Sequence, residues 1–416
     1  MTSPTTRLPV LAKVLITGAG IMSLANSVTI PFLAVFLHQD LGLAPGMIGF
    51  IIGSSVFFSI FAGFVGGSLS DRLGRVRLLM FSLFGVIGSF IGLYFSDGVV
   101  AVFVFNATLA LSSSTFAPVG KALLGDLLPR ERRAKTFSYQ YMATNIGYAV
   151  GPVAGAAIGL AGGRTAFLIG AAGYGVYLIG LTAVLLLVPV AATSAERQHA
   201  GSALRGLAES ARIVVVDRRL LFLILGGLLL EAVHGRISSL LAQYLSGGFA
   251  DGVMILGYVL ATNAVTVVLL QVVVTRVTEK RNPVTAITVG CLLTVAGMAG
   301  FAFAGNLWQF VAAMVVFSLG EILIYPAEFA IIDRIAPEEN RGAYFGAQTF
   351  AQIGVFIGPF TGGLLLGAYN GTVMFLGVGL FALASLVIYL LVGRRVPGLA
   401  AAAPAPSEQR EPDDVV

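Results

Sequence analysis

The second half of the sequence places several ionisable residues inside long apolar stretches. Glu231 and His234 lie three residues apart in one stretch, and Glu321 lies in another. Charged groups at membrane depth are costly and normally face a cavity or a partner. A carboxyl group in such a cavity and an imidazole can both bind and release a proton. We therefore predict a proton-coupling site made of Glu321, Glu231 and His234.

Structural roles are the alternative for the same residues. Glu231 together with His234 or Arg236 would form an ion pair that locks one helix. Glu328, two turns beyond Glu321, would anchor the end of its own helix. The sequence leaves both roles open.

The composition excludes most soluble classes of protein. Of the 416 residues 57% are hydrophobic and 11% are charged, whereas soluble domains carry about 25% charged residues. A core in water cannot use so much apolar surface, so we expect a polytopic membrane protein. The single cysteine, Cys291, and three scattered histidines indicate neither a disulfide framework nor a metal site. No nucleotide-binding Gly-x4-Gly-Lys-Ser/Thr loop is present, and we expect no cofactor, no enzymatic activity and no nucleic-acid partner.

Runs of about 20 apolar residues, the length that crosses the hydrocarbon core as a helix, divide the chain. The predicted spans are residues 11–38, 46–69, 77–95, 100–125, 135–161, 165–189, 219–246, 252–275, 284–305, 307–332, 342–368 and 372–393. This pattern predicts a six-helix bundle over residues 1–190, a linker over 191–218 and a second six-helix bundle over 219–395. The tail over 396–416 is rich in Ala, Pro and acidic residues and is expected to be disordered.

The distribution of Lys and Arg predicts the orientation. Of the 25 basic residues, only Arg164 falls in a connection on the side opposite the termini, while Lys121 and Arg236 fall within spans. Basic residues concentrate in the cytoplasmic connections of membrane proteins. We therefore expect a multi-pass protein of the cell membrane, with both termini and the linker in the cytoplasm.

The connection between the second and third spans carries the most distinctive motif. It reads Gly-x3-Asp-Arg-x-Gly-Arg-x-Arg, and its members are Gly67, Asp71, Arg72, Gly74, Arg75 and Arg77. This pattern resembles the loop signature of the major facilitator superfamily. The resemblance covers about residues 10 to 395 and implies an all-α fold of 12 transmembrane helices in two pseudo-symmetric six-helix bundles. It also implies that these six residues form a conformational latch.

A second motif repeats in both halves of the chain. Gly151-Pro152 in the fifth span recurs as Gly358-Pro359 in the eleventh, at an offset of 207 residues, and we predict that all four residues form helix hinges. The first copy is similar to the motif of drug:proton antiporters. A structural hinge shared by importers and exporters is the alternative. Residues 105–112 lack the fourth-span arginine that such antiporters commonly carry, so the coupling residues are expected in the second half.

Polar and aromatic residues at helical spacing are candidates for lining a substrate cavity, with hydrogen bonding between helices as the alternative. They are Asn26, Tyr141, Asn145, Tyr148, Arg236, Tyr325, Gln348 and Gln352. Such a cavity suits amphiphilic solutes. The resemblance therefore predicts a monomeric transporter in the lipid bilayer that exports drug-like or amphiphilic small molecules in exchange for protons by alternating access.

Two other functions remain open. One is a proton-coupled transporter of a polar metabolite such as a sugar, a peptide or an organic acid, in which Arg236 would meet a substrate carboxylate. The other is a membrane receptor or scaffold that transports nothing. The intact loop motif, the repeat and the buried acids disfavour the receptor.

Overall fold

A computed structural model describes residues 9–157, 163–187, 212, 215–278, 282–337, 344 and 347–395. These residues form α-helices and one 3-10 helix, and no strand occurs among them. The helices of the first half are α1 (Val10–Gln39), α2 (Pro45–Leu73), α3 (Arg75–Tyr94), α4 (Val99–Asp126), α5 (Arg130–Ala157) and α6 (Thr165–Leu187). The helices of the second half are α7 (Arg218–His234), α8 (Ile237–Gly248), α9 (Gly252–Thr278), α10 (Pro283–Phe303), α11 (Leu307–Ile335), the 3-10 helix Gln348–Ile353, α12 (Gly354–Ala368) and α13 (Gly371–Arg395).

The expected all-α membrane architecture is confirmed. In the part of the chain that the structure describes, 11 helical segments are long and apolar enough to cross a membrane, counting α7 with α8 as one. The twelfth expected segment, α5, is not among them, because its described part is less apolar than the other spans: Gln140, Thr144 and Asn145 follow the charged first turns. The expected linker 191–218 lies almost wholly outside the described residues, as does the expected tail 396–416.

Two spans differ from continuous α-helices. The seventh is interrupted at Gly235 and Arg236, and Arg236 has backbone angles of −146° and 36°. The eleventh begins as the 3-10 helix and becomes α-helical at Gly354. The predicted shared face of Gln348 and Gln352 is therefore wrong, because residues four apart point about 120° apart at three residues per turn.

The same helix pairs pack together in both halves. In the first half, α1 packs on α5 and α6, α3 packs on α4 and α6, and α2 packs on α4. The equivalent spans make the equivalent contacts in the second half: α7 packs on α12 and α13, α10 packs on α11 and α13, and α9 packs on α11. This agreement confirms the pseudo-symmetry that the sequence repeat predicts.

Small residues of the repeated motif let these helices approach closely. A Cβ at Gly147 would lie 2.6 Å from the carbonyl oxygen of Gly20 on α1, and the Ser27 hydroxyl donates to the carbonyl of Gly147 at 3.0 Å. In the second half a Cβ at Gly354 would lie 2.7 Å from the backbone nitrogen of Ala232 on α7. The two helices of each pair touch backbone to backbone, as membrane helices with small-residue faces do.

Arg164 lies at one end of the helices and Arg75 lies at the other end. At the Arg164 end, Arg164 binds Asp97 at 2.7 Å and Asp40 at 3.3 Å, which ties together three interhelical connections. The hydrogen bond to Asp97 holds the pKa of Arg164 above its usual value.

At the Arg75 end, the chain turns from α2 to α3 at Gly74 alone, whose φ of 85° suits glycine. The expected tight connection is even shorter than the predicted bounds at residues 69 and 77 indicate, because α2 continues to Leu73 and α3 begins at Arg75.

The two halves meet closely at the Arg164 end. The first turns of α2 pack against α12, and the end of α1 packs against α8. A Cβ at Gly49 would overlap the carbonyl oxygen of Pro359, and one at Gly46 would lie 2.8 Å from the Leu364 side chain. The ring of Phe50 makes an edge-to-face contact with the ring of Phe360, with the two ring centroids 6.3 Å apart. This end of the interface between the halves is therefore tightly packed.

Candidate functional site

A cavity of about 220 Å³ lies between the two halves. Helices α1 and α5 form one wall, and α9 with the break between α7 and α8 forms the other. Among the predicted cavity residues, Asn26, Tyr148 and Arg236 line it. Asn263, on α9, contributes a further amide to the opposite wall. The cavity therefore combines polar groups from both halves with apolar helix surface.

Asn263 connects this cavity with a carboxylate on α11. Its amide nitrogen donates to Glu321 Oε2 and lies 2.9 Å from both that oxygen and the Ser318 hydroxyl. Glu321 is half-buried. It thus lies one hydrogen bond behind the cavity wall, and any group that binds Asn263 also affects the carboxylate.

Glu231 belongs to the same group of side chains. The Tyr325 hydroxyl and the Glu321 carboxylate of α11 are both close enough to Glu231 to interact with it electrostatically. Glu231 is half-buried, as Glu321 is. The structure therefore brings together Glu231, Glu321 and Tyr325, which the sequence placed on two separate helices.

His234 makes different contacts. Its Nδ1 lies 3.1 Å from the carbonyl oxygen of Leu230, and its Nε2 lies 3.1 Å from the Thr294 hydroxyl. A carbonyl only accepts, so Nδ1 must donate, and a neutral ring can then accept at Nε2 from Thr294. These partners satisfy both nitrogens without Glu231, so the expected direct pairing of Glu231 with His234 is not observed. The role of His234 in proton coupling stays a prediction.

Glu328 forms a separate buried contact. The Tyr389 hydroxyl of α13 donates to its Oε1 at 2.5 Å, and both residues are at most 5% exposed. The same oxygen lies against Gly227 of α7, where a Cβ would come within 3.2 Å. Glu328 therefore joins α11 to α7 and α13. This geometry fits the structural alternative for Glu328.

Arg236 occupies the break in the seventh span and lines the cavity. None of the ion pairs between described residues includes Arg236, so Arg236 is not paired with Glu231. Its Nε is buried without a hydrogen-bond partner in the described part of the chain, as is Oδ1 of Asn26 on the facing wall. Both residues line the cavity, so a donor and an acceptor without a described partner lie buried in its walls.

The other predicted cavity residues lie elsewhere or are not fully described. Asn145 is half-buried on α5, Gln348 is half-buried and Gln352 is exposed, and none of the three lines this cavity. The side chain of Tyr141 lies outside the described residues.

The latch motif is described in part. Arg75 forms an ion pair with Asp126 at the end of α4, and both side chains are about a quarter exposed. Arg77 is exposed. The surroundings of Gly67 and the side chains of Asp71 and Arg72 lie outside the described residues. The contact between Arg75 and Asp126 joins two helices of the same half. The latch between the halves stays a prediction.

The predicted hinge residues lie within continuous helices. Pro152 is inside α5 and Pro359 is inside α12, and the glycine before each is buried against the neighbouring helix. In this conformation the motif serves close packing, and its role as a hinge stays a prediction.

The partners of Asn263, His234 and Glu328 could not be identified from the sequence. Ser318, Thr294 and Tyr389 are common residue types in membrane helices, and each acquires its role from a helix distant in sequence. Spacing along one helix cannot indicate such contacts. The one available signal was Asn263, one of two amides, with Gln271, in the apolar run of α9.

Comparison with known proteins agrees with this architecture. The fold and a polar cavity between two repeated halves define a secondary transporter, and the profile of the Major Facilitator Superfamily matches residues 15–352 and 305–413. The chain therefore belongs to the Major Facilitator Superfamily and is a multi-pass membrane transporter, not an enzyme.

Three relatives and one solved structure illustrate the range of the family. The uncharacterized MFS-type transporter YqjV of Bacillus subtilis is 30% identical, with 83% of this chain and 84% of the relative covered. A Na(+), Li(+), K(+)/H(+) antiporter of Planococcus maritimus is 27% identical, covering 91% and 94%. The quinolone resistance protein NorA of Staphylococcus aureus is 24% identical, covering 88% and 92%. The crystal structure of the nucleoside transporter NupG has a TM-score of 0.78 at 13% identity, covering 93% and 99%.

Proposed function

We propose that the protein exports drug-like or amphiphilic small molecules in exchange for protons. The observation that carries this proposal is the position of Glu321. Its half-buried carboxylate is hydrogen-bonded through Asn263 to the wall of a cavity between the halves. A transporter that couples two solutes needs a proton-binding group whose charge affects the substrate site. The Glu321–Asn263 contact supplies that connection.

Two relatives support the direction of transport. One is named as a cation/proton antiporter and the other as a quinolone resistance protein. The mixed polar and apolar cavity is compatible with an amphiphilic substrate.

Orientation and domain organisation are part of the proposal. The Arg75 end carries most of the Lys and Arg residues that lie in connections between spans, and it faces the cytoplasm. The protein is a monomer of the cell membrane. Residues 1–190 and 219–395 move as two bundles joined by the linker 191–218. Closure at the Arg164 end then alternates with closure at the Arg75 end around a fixed cavity.

Transport into inverted membrane vesicles tests this proposal. With an imposed pH gradient, acidic inside, we expect the vesicles to accumulate lipophilic fluorescent dyes, and a protonophore to abolish the accumulation. Vesicles without the protein are the control. Accumulation that persists at full rate after the gradient collapses would refute proton coupling.

Arg236 favours a second candidate, a proton-coupled transporter of a metabolite with an anionic group. Arg236 and Asn26 both line the cavity, and the buried Nε of Arg236 and Oδ1 of Asn26 have no hydrogen-bond partner among the described residues. A guanidinium binds carboxylates through two parallel hydrogen bonds. A substrate carboxylate would therefore fill a position that no described acid occupies.

A panel of organic acids and dipeptides in the same vesicles distinguishes the two candidates. If the second candidate is right, Arg236→Gln abolishes transport of the anionic substrate and Arg236→Lys restores part of it. Transport of dyes alone, insensitive to Arg236→Gln, would exclude the anionic metabolite.

A further inference from the structure

A second cavity lies on the outer side of the helix pair α7 and α13, and it shares no residue with the central cavity. It is a groove of about 450 Å³, lined by Leu221 and Phe222 from α7 and by Ile388, Leu391 and Val392 from α13. The side chains of Phe222 and Leu391 are 41% and 47% exposed, so the groove opens on the membrane-facing surface.

The groove has a charged end. Arg218 and Arg219, the first two residues of α7, lie at that end and are exposed. They therefore lie at the Arg75 end, at the level where the seventh span leaves the apolar layer. The sequence adds Arg394 and Arg395 directly after the last groove residues of α13.

The acid beside these arginines is engaged elsewhere. Asp217 accepts from the backbone nitrogen of Arg219 at 2.8 Å, which caps α7, and it accepts from the Tyr344 hydroxyl at 2.7 Å. Neither Arg218 nor Arg219 forms an ion pair with a described carboxylate.

We propose that this groove binds an anionic phospholipid. The phosphate pairs with the guanidinium groups of Arg218 and Arg219, and one acyl chain lies along Leu221, Phe222 and Leu391. Guanidinium groups bind phosphate oxygens through paired hydrogen bonds. An apolar groove with a cationic end matches the two chemical parts of such a lipid, and basic pockets between spans are known to recognise anionic headgroups. On the proposed orientation, the lipid comes from the cytoplasmic leaflet.

The site has a direct link to the transport cycle. Tyr389 of α13 donates to Glu328 and lies one turn before the groove residue Val392. A bound lipid thus holds together α7 and α13 at the same level at which Glu328 joins them from inside. We infer that the lipid stabilises this helix pair.

Lipid binding to the purified full-length protein tests the proposal. Native mass spectrometry compares phosphatidylglycerol with phosphatidylcholine of identical acyl chains. An arginine near an anionic headgroup contributes about fivefold in affinity. We therefore expect phosphatidylglycerol to bind at least about tenfold more tightly, and Arg218→Gln and Arg219→Gln each to weaken it about fivefold. The matched control is Lys13→Gln, which removes one exposed charge near the start of α1 at the same end and should change nothing.

The apolar part is tested separately. Leu391→Trp fills the groove without changing charge, so it should weaken both lipids and leave their ratio intact. Soluble glycerol phosphate should not compete. Equal affinity for the two lipids, an equal loss in Lys13→Gln, unchanged binding in Leu391→Trp, or full competition by glycerol phosphate would each overturn the proposal. Transport of dyes without bound lipid would leave the efflux proposal standing, so the two are tested independently.

Discussion

Closure at the Arg164 end depends on the absence of a side chain at position 49. In Gly49→Ala the added Cβ would overlap the carbonyl oxygen of Pro359 and lie 2.6 Å from the carbonyl carbon. Ordinary contact begins at 3.4 Å, so α2 and α12 would have to separate by about 0.8 Å or more. Both partners are helix backbone, which cannot rotate away as a side chain can. Overpacking of this kind costs about 1–3 kcal/mol.

The cost applies only to the conformation in which α2 and α12 touch. The substitution should therefore shift the ratio of closed to open Arg164 ends about 5-fold to 150-fold toward open. Spin labels at Gln39→Cys and Asp251→Cys, on the two sides of this interface, would report the shift by double electron–electron resonance. The native Cys291 is fully buried and should not compete for label.

A matched control is available on α3. Gly88→Ala adds the same methyl group to a helix, at a position where nothing lies within 4 Å of the new Cβ. It should leave the distance distribution unchanged. If Gly49→Ala and Gly88→Ala give the same distribution as the parent, the assignment of this contact as a gate is wrong.

Two further changes probe buried and surface contacts. Tyr389→Phe removes the hydroxyl that donates to Glu328, so it should lower the free energy of unfolding by about 1–3 kcal/mol, measured by thermal unfolding. The control is Tyr369→Phe, at a position that is 70% exposed, which should not lower it. Equal melting temperatures of the two variants would contradict a structural role for the Tyr389–Glu328 bond. Asp71→Asn should slow transport at normal expression levels, because the latch motif is expected to set the populations of the two states; unchanged rates with unchanged populations would count against the latch.

Most of the architecture could be predicted from the sequence. Hydrophobic runs of membrane length define the spans because each must satisfy its own backbone in lipid, and the repeated Gly-Pro motif reveals the two halves. The interruption at Gly235 and Arg236 was not predicted, because a single arginine in an apolar run gives no local signal of a break. The 3-10 start of the eleventh span was not predicted either, because residues 348–353 contain no Gly or Pro that would signal a change of helix type.

The sequence predicted which ionisable residues belong to the site but not which residues they contact. Glu231 and Glu321 could be selected because an ionisable side chain inside a membrane span is costly unless it serves a function or has a partner. Their partners come from other helices: Asn263 for Glu321 and Tyr325 for Glu231. Spacing along one helix suggested a pairing of Glu231 with His234, but the histidine ring instead contacts the Leu230 carbonyl of its own helix and the Thr294 hydroxyl of α10.

The central claim is that Glu321 carries the coupled proton, and one pair of assays on Glu321→Gln tests it most directly. Glutamine mimics the protonated carboxyl permanently, so substrate uptake driven by a pH gradient should be lost while counterflow exchange is retained. Glu328→Gln is the control: it should lower thermal stability and keep the parent's pH dependence. If Glu321→Gln accumulates substrate against a gradient at the parent rate and with the parent pH dependence, the coupling site lies elsewhere.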